Sequence, residues 1–381
     1  MKKRILIPYA TYGSGHKAIA KYIESYFSKQ SNEYEILTVD LINYSKPIIG
    51  ILSKKLSENL MIKMPWIWSI LYSAFDMKIS GKISSQLSMR MFKNKRLQQL
   101  ITDFNPDLTI STHFYASSLI ASYKRRKLIN TKLITIVTDY KAHEFWLQSH
   151  KADDYLIVCS DEEKKQLAKR GIAKEKIKEY GIPIDPVLIS THDIEKSKKK
   201  HNLDNGNLSC LFFGGGGAKN RNSAMLPYIR KVIKMNLKIN FLFVSGHDTK
   251  TKNKVSKWVK QYNATNIQVF GFVTNAPELY QIVDFVVTKP GGAQSTECLY
   301  FKKPVILLKG SGGQESANHR YFTKNGYGRR FKTVYSFVKF LSHIEDDESI
   351  LNVMKERILK NKSEESMANL YKLAETLFLE K

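Results

Sequence analysis

The chain has 381 residues, too many for one compact domain and suited to two. Hydrophobic residues make up 43% of it and charged residues 25%, as in ordinary soluble globular proteins. The formal net charge of +26 is unusual and predicts an anionic partner. The charge alone does not distinguish a membrane surface, an anionic substrate and nucleic acid.

Cysteine spacing and hydropathy exclude several classes of protein. Cys159, Cys210 and Cys298 lie far apart and form no metal-ligand spacing, so we expect reduced thiols in a cytoplasmic protein. The first apolar run is too short for a signal peptide. No run reaches the roughly 18 apolar residues that span a bilayer.

Strand and helix patterns alternate through the first half of the chain. His16 follows the first strand on a turn that contains Gly13 and Gly15, and an amphipathic helix follows it. This alternation predicts a parallel sheet with helical crossovers. The predicted strands of this half are residues 4–10, 34–39, 108–111, 133–137 and 155–158.

The same pattern restarts in the second half. Residues 191–207 are rich in Lys, Asn and Gly and have no apolar period, which predicts a linker. A strand at 208–213 then leads into a glycine turn that includes Gly215 and Gly216. We predict an α/β protein with two doubly wound, Rossmann-like domains that face each other across a cleft. Their predicted bounds are residues 1–190 and 208–362, with the last helix, 363–381, packing back on the first domain.

Two glycine loops of the second half predict a phosphate site. Apolar runs lead into Lys289-Pro290-Gly291-Gly292 and into the loop 310–313. Glycine backbone and a following helix N-terminus suit an anion, although each loop alone also fits a plain helix cap. Glu297 is predicted in the first helical turn, where its carboxylate would accept hydrogen bonds from ribose hydroxyls.

His16 and Asp139 are the candidate catalytic residues. His16 ends the first strand, and an imidazole with an ordinary pKa near 6.5 suits proton transfer. Asp139 ends a very apolar strand, where a carboxylate is costly unless it has a partner or a function. The pair fits a base and its partner or a base and a phosphate ligand, and simple helix capping by either remains an alternative. His143 and Trp146 follow and are candidates for an acceptor pocket, with core packing an equal alternative for Trp146.

A basic, Trp-rich segment predicts a membrane contact. Residues 46–96 carry many Lys and Arg against only Glu58 and Asp76, and Trp66 and Trp68 lie among them. Cations and aromatic rings together suit an anionic bilayer surface, and a buried helical excursion with a solvated basic face is the alternative. No nucleic-acid-binding motif is present, so nucleic acid is not expected as a partner. No Asp-x-Asp spacing occurs either, so we expect no essential metal.

Taken in chain order, these motifs resemble one enzyme family. They are residues 12–16, residues 137–139 with His143 and Trp146, residues 271–273, residues 289–292 with Thr296 and Glu297, and residues 313–315 with Asn318. The order resembles the monogalactosyldiacylglycerol synthase and processive diacylglycerol glucosyltransferase family. That family has the two-domain glycosyltransferase B fold and is related to the enzyme that glycosylates lipid I.

The resemblance implies roles for particular residues. It places uracil near Phe272 and Val273 and the ribose hydroxyls on Glu297. His16 and Asp139 would face the acceptor. The other residues predicted for the donor site are Gly15, Gly215, Gly216, Lys289, Gly291, Gly292, Thr296, Gly312, Gly313, Gln314, Glu315 and Asn318.

The resemblance also implies an activity. The enzyme would be an inverting transferase that moves glucose or galactose from UDP-glucose or UDP-galactose to diacylglycerol, with no cofactor beyond the UDP-sugar. It would be cytoplasmic and peripheral on the inner face of the cell membrane, in contact with anionic lipids. Alternatives are a lipid I N-acetylglucosaminyltransferase, a UDP-sugar 2-epimerase and a non-catalytic UDP-sugar sensor. Ser14, where many relatives have glycine, leaves the sugar open.

Overall fold

The computed structural model describes residues 2–11, 14–44, 94–186, 193–203, 206–214, 222–308 and 313–380. These residues form two compact units, and elements are numbered below in chain order among them. Unit 1 comprises Met1–Pro186, Ser311–Asn318 and Ser363–Lys381, and unit 2 comprises Val187–Gly310 and His319–Lys362.

Unit 1 is built on a six-stranded parallel sheet in the order β2-β1-β3-β4-β5-β6. Its strands are β1 Lys3–Tyr9, β2 Tyr34–Asp40, β3 Leu108–Ser111, β4 Lys132–Ile136, β5 Tyr155–Ile157 and β6 Ile177–Lys178. Its helices are α1 Ser14–Gln30, α2 Lys95–Phe104, α3 Phe114–Arg125, α4 Asp161–Lys169 and, from the end of the chain, α13 Ser366–Leu379, with short 3-10 turns at Leu41–Tyr44, Glu144–Gln148, Lys174–Lys176 and Ser363–Glu365.

Unit 2 repeats this architecture with the strand order β12-β11-β10-β7-β8-β9. Its strands are β7 Ser209–Phe213, β8 Asn240–Val244, β9 Ile267–Phe270, β10 Phe285–Thr288, β11 Val305–Leu307 and β12 Gly328–Arg330. Its helices are α5 Ile194–Lys200, α6 Leu226–Met235, α7 Thr249–Gln261, α8 Ala276–Ile282, α9 Gly292–Tyr300, α10 Gln314–Lys324, α11 Val334–Asp346 and α12 Ser349–Leu359, with a 3-10 turn at Ser223–Met225. The first residues of α10, up to Asn318, belong to unit 1.

The central strands of both sheets are buried on both faces. Ile5, Leu6 and Ile7 of β1 are all 0% exposed, although neighbouring side chains of a strand point to opposite faces. Phe241 and Phe243 of β8 are equally buried in unit 2. Helices on both faces of a parallel sheet bury alternate residues alike, so central strands such as β1 and β8 are rich in apolar residues, whereas edge strands such as β2 and β12 keep exposed polar ones.

Helix α13 belongs to the core of unit 1 although it is the last helix of the chain. Glu375 accepts a hydrogen bond from the Tyr34 hydroxyl and pairs with Lys3 at 3.4 Å. The Tyr371 ring packs on Phe27 at a centroid distance of 5.2 Å. Its buried residues are Ser366, Met367, Leu370, Leu373, Ala374 and Leu377.

Two sequence-based interpretations differ from the structure at the level of elements. The predicted linker, residues 191–207, contains helix α5, which Asp193 caps by accepting from the Lys196 backbone N–H. Lys200 of this helix pairs with Glu278 at 3.1 Å, so capping and an ion pair hold a helix that lacks an apolar period. Separately, residues 313–318 belong to unit 1 rather than to the predicted second domain.

The basic segment predicted to meet a membrane lies almost wholly outside the described residues, and so do Trp66 and Trp68. Within the described ranges, no helix is both long enough and apolar enough to cross a bilayer.

Candidate active site

The sheet order of unit 1 gives the candidate site its place. Because β2 and β3 lie on opposite sides of β1, the order reverses between β1 and β3. Ligands of such sheets bind beyond the carboxyl ends of the strands at this reversal. His16 lies in the first turn of α1, just after β1, and His113 follows β3. Their ring centroids are 4.5 Å apart.

The hydrogen bonds of His16 define its tautomer. Nδ1 lies 2.8 Å from the Thr112 carbonyl oxygen and 3.0 Å from the Thr138 hydroxyl. A carbonyl only accepts, so Nδ1 carries the hydrogen and Nε2 of the neutral ring carries the lone pair. Burial lowers the pKa of His16 to about 4, so the ring is neutral at physiological pH. His16 therefore has the protonation state and tautomer of a general base acting through Nε2.

Other neutral aromatic rings surround His16. The His113 Nδ1 accepts the Tyr115 backbone N–H at 3.1 Å and thereby caps α3, and burial holds its pKa well below the usual value. Burial also lowers the pKa of His143 to about 3. Trp146 is 0% exposed and its ring centroid lies 6.5 Å from that of His16. Trp146 is thus a core residue that also forms the floor of the site.

Asp139 is held in a buried position after β4, where it is 8% exposed. Burial raises its pKa to about 7, and Glu315 adds to the rise. The Trp146 indole N–H and the Asn318 side chain lower the pKa of Asp139 in part, although the indole N–H does not meet the geometry of a hydrogen bond. At neutral pH both forms of this carboxyl group are therefore populated.

The first turns of α10 lie beside Asp139. The Asn318 Oδ1 accepts the Tyr140 backbone N–H at 3.0 Å, and Asn318 is 1% exposed. Glu315 is close enough to raise the pKa of Asp139. Residues predicted to hold a donor sugar are thus gathered with a predicted catalytic residue in unit 1. Of the others in this loop, Gly313 has a φ of +57°, Gln314 opens α10, and Gly312 lies outside the described residues.

Glu163 is a buried residue of this region that the sequence interpretation missed. Its carboxylate accepts the backbone N–H groups of Ala142 and, at 3.2 Å, of Cys159. Burial raises its pKa to about 7. These two bonds fix the segment that carries Asp139. The spacing Ser160-x-x-Glu163 at the start of α4 was the available signal, because it is the pattern of a helix capping box.

Unit 2 has its own reversal, between β7 and β10. Helix α9 begins at Gly292 directly after β10, and its N-cap Gly291 provides no side-chain cap. The first backbone N–H groups of a helix have no partner within the helix, and they attract anions. A Cβ atom placed on Gly291 would meet nothing within 4 Å, so this backbone borders open space. Lys289 adds a cation, with Nζ 3.4 Å from the Asn222 Oδ1.

Glu297 and Thr296 are placed differently from the prediction. Since α9 begins at Gly292 rather than near Ser295, Glu297 lies in the second helical turn and not in the first. Its Oε2 accepts the Tyr280 hydroxyl at 3.0 Å, and Tyr280 stacks on Phe301 at 5.0 Å. The Thr296 hydroxyl donates to the Gly292 carbonyl at 2.8 Å, which is a bond within the helix.

The remaining predicted residues are distributed around both units. Phe272 follows β9, is 56% exposed and stacks on His247 at 4.2 Å, with Val273 next to it. Gly15 lies in the first turn of α1. Gly215 and Gly216 fall outside the described residues. No group of three His, Cys, Asp or Glu side chains in the described part of the chain is arranged to hold a metal ion.

Two family models match the chain in sequence. Residues 16–184 match the model described as monogalactosyldiacylglycerol (MGDG) synthase. Residues 209–376 match the glycosyltransferase family 28 C-terminal domain. The matched ranges fall on the first and second of the two α/β sheets.

Curated relatives match over nearly the whole chain. The processive diacylglycerol beta-glucosyltransferase of Bacillus subtilis (strain 168) is 27% identical over 379 residues, which is 98% of this chain and 96% of the relative. The enzyme of the same name from Bacillus licheniformis is 28% identical over 388 residues, which is 100% of this chain and 97% of the relative.

Solved structures share the fold at low sequence identity. MurG from Acinetobacter baumannii matches with a TM-score of 0.66 at 10% identity, covering 98% of this chain and 99% of that one. UDP-GlcNAc 2-epimerase from Neisseria meningitidis, bound to UDP-GlcNAc, matches with a TM-score of 0.63 at 10% identity, covering 98% and 100%. The predicted α/β class with two doubly wound units of the glycosyltransferase B type is thereby confirmed.

Proposed function

We infer that this chain, a member of the monogalactosyldiacylglycerol synthase and processive diacylglycerol glucosyltransferase family, is a hexosyltransferase that uses a UDP-sugar and glycosylates diacylglycerol. The observation that carries the chemistry is the neutral His16 ring with its lone pair on Nε2. Full-length similarity to the diacylglycerol glucosyltransferases of Bacillus favours glucose as the sugar, with galactose as the alternative.

His16 would act as the base for the acceptor hydroxyl. As the hydroxyl oxygen forms its bond to the anomeric carbon, the bond from that carbon to the diphosphate oxygen breaks, and UDP leaves with the electron pair. The acceptor proton passes to Nε2, while the Thr112 carbonyl holds the hydrogen on Nδ1 and stabilises the imidazolium that forms. Attack from the side opposite the leaving group inverts the anomeric configuration.

Asp139 would act in its ionised form on the positive charge that develops in the transition state. Burial makes a fixed carboxylate more effective than it would be in water. The same burial raises its pKa to about 7, so the active form is populated only from neutral pH upward. Asn318 and Glu163 hold the backbone that follows it, at Tyr140 and Ala142.

The leaving diphosphate would lie at the start of α9. The open backbone at Gly291, the first amides of the helix and Lys289 together present positive charge there. We propose that these groups neutralise the diphosphate without an essential metal. Glu297, oriented by Tyr280, would accept the ribose hydroxyls.

The acceptor also suggests where the enzyme works. Diacylglycerol is a bilayer lipid, so we propose a peripheral enzyme on the inner face of the cell membrane. The cations and Trp residues of segment 46–96 support contact with anionic lipids. The low identity to epimerases and to MurG gives no reason to prefer their reactions.

A donor panel tests the function. The purified protein is incubated with diacylglycerol vesicles and UDP-glucose, UDP-galactose or UDP-N-acetylglucosamine, and the lipids are analysed by thin-layer chromatography and mass spectrometry. We expect a hexosyldiacylglycerol that the His16→Asn variant forms at least about 100-fold more slowly. No glycolipid from either hexose donor would contradict the proposal, as would an epimerised UDP-sugar as the main product.

A further inference from the structure

Helices α6 and α7 of unit 2 form a basic surface with no internal acid. The two helices pack against each other, and neither contains Asp or Glu. The basic side chains of the two helices are Arg230, Lys231, Lys234, Lys250, Lys252, Lys254, Lys257 and Lys260. None of them belongs to either sheet reversal described above.

The cations lie on the outer faces of both helices. In α6 the exposed Arg230, Lys231 and Lys234 lie opposite the buried Ile229 and Val232. In α7 the exposed Lys250, Lys254, Lys257 and Lys260 lie opposite the buried Thr251 and Val255, since they recur at intervals of three and four residues. A helical period therefore concentrates positive charge on one side of unit 2.

Two aromatic rings hold the centre of this surface together. Arg230 from α6 and Lys254 from α7 each lie 5.4 Å from the Trp258 ring centroid. Lys234 lies 5.3 Å from the centroid of Tyr262, which is 37% exposed. Cation–π contacts at these distances are attractive, so like charges are kept side by side instead of spreading apart.

We propose that the surface formed by α6 and α7 docks unit 2 on an anionic lipid bilayer. A flat row of cations without interspersed acids complements negatively charged headgroups. Nucleic-acid bases that stacked on Trp258 or Tyr262 would compete with the cations that already contact these rings. The choice of a bilayer as partner rests on the proposed function, because the acceptor is a membrane lipid. This surface is distinct from segment 46–96, which belongs to unit 1.

Charge reversal on this surface tests the proposal. The full chain carries Lys231→Glu, Lys250→Glu and Lys257→Glu, three exposed residues outside the cation–π contacts. Binding is measured by flotation with vesicles of phosphatidylglycerol and phosphatidylcholine in equal parts, without substrate. The partition coefficient should fall by at least about tenfold, and its dependence on salt should weaken.

A matched control separates local from global charge. Lys355→Glu, Lys360→Glu and Lys372→Glu change the net charge equally at exposed positions outside α6 and α7. We expect these changes to reduce flotation by less than about twofold. An equal loss of flotation in both triple variants would overturn the proposal. It would also be overturned if the wild type bound duplex DNA more tightly than vesicles and the α6–α7 variant lost this DNA binding. If reversal lowers the unfolding temperature, the corresponding Lys→Gln triple is measured instead.

Activity in neutral detergent micelles tests the proposed function independently of the docking surface. With micellar diacylglycerol no anionic surface is present, so the α6–α7 variant should retain the wild-type kcat. Loss of flotation with intact micellar activity supports the docking surface. A wild type without micellar activity counts against the proposed function, while the flotation comparison still decides the docking surface.

Discussion

The tautomer of His16 gives the first prediction. His16→Asn should reduce kcat by roughly 10²–10⁴-fold, because that is the usual contribution of a general base. UDP affinity should be unchanged, since the proposed diphosphate and ribose contacts at Lys289, Gly291 and Glu297 belong to unit 2. Turnover with saturating diacylglycerol and calorimetry with UDP measure the two effects. Thr138→Val is the control: it should lose far less, because the Thr112 carbonyl still fixes Nδ1. Near-normal turnover of His16→Asn would leave His16 a structural role only.

Opposite pKa shifts of Asp139 and His16 give a prediction for pH. Burial raises the pKa of Asp139 to about 7 and lowers that of His16 to about 4. If both must be unprotonated, kcat/KM of the wild type should rise as pH increases through 7 and then level. The residual activity of Asp139→Asn should lack this step and decline only toward pH 4. An unchanged step near neutral pH in the variant would assign that titration to another group.

The difference in stability between Asp139→Asn and the wild type should also depend on pH. The folded pKa of about 7 lies above the ordinary aspartate pKa of 3.8, so the folded state binds more protons between these values. The wild type therefore loses stability as pH rises through this window, by about 1.4 kcal/mol for each unit of pKa difference. The variant has no such loss. Its stability relative to that of the wild type should therefore be greater at pH 8 than at pH 4. Parallel denaturation curves at both pH values would contradict this.

At the scale of elements, Gly291 at the start of α9 can be replaced by alanine without backbone strain. Gly291 has φ −77° and ψ 139°, which alanine adopts readily, and its added Cβ would contact no protein atom within 4 Å. Gly291→Ala should therefore fold as the wild type but bind UDP about tenfold more weakly, a cost of ~1.4 kcal/mol, because the methyl group occupies the approach to the helix amides. Calorimetry and thermal unfolding measure the two effects.

Gly214→Ala is the contrasting variant. A Cβ at this position would lie 2.6 Å from the Asn222 side chain, so the fold itself should be destabilised.

If Gly291→Ala binds UDP as tightly as the wild type, the diphosphate does not approach the start of α9.

Helix α13 provides a second prediction for an element. Leu370 is 0% exposed, so Leu370→Ala should destabilise unit 1 by about 2–5 kcal/mol through lost burial and a cavity. Leu379 is 83% exposed in the same helix, and Leu379→Ala should change stability by less than about 0.5 kcal/mol. Chemical denaturation compares them. Equal effects would mean that the helix contributes little to unit 1.

Particular elements show how far the sequence alone predicts this molecule. Ten of the twelve strands were predictable because they contain apolar runs, and the order of glycine turns and helices marked both reversals. The short strands β6 and β12 were missed because Ile177–Lys178 and Gly328–Arg330 contain no such run. Helix α5 was not predictable, because its stability comes from a cap and from Glu278, which is distant in sequence. The grouping of Glu315 and Asn318 with Asp139 was missed for the same reason: the Asn318–Tyr140 bond joins residues 178 positions apart. The tautomer of His16 likewise depends on Thr112 and Thr138, which no local pattern connects to it. The roles of the site residues stay predictions.

At the scale of the whole molecule, two separately cored units should respond separately to a ligand. UDP at about 100 times its Kd should stabilise unit 2 by ~2.7 kcal/mol, since it binds only the folded state. Calorimetry should then show one transition that moves with UDP and another that moves with Leu370→Ala. A single transition shifted by both would show that the units unfold together.

The position of α13 also constrains how the chain matures on the ribosome. Unit 1 contains the first strand of the chain and one of its last helices, so its core stays incomplete while the whole of unit 2 is synthesised. During that interval the apolar surface that later receives Leu370 and Leu377 is uncovered, a condition that favours aggregation and chaperone capture. All six strands of unit 1 precede unit 2 in the chain, so its sheet is synthesised first and only its last helix arrives after unit 2. The core of unit 1 is therefore completed only after the whole of unit 2 has been synthesised.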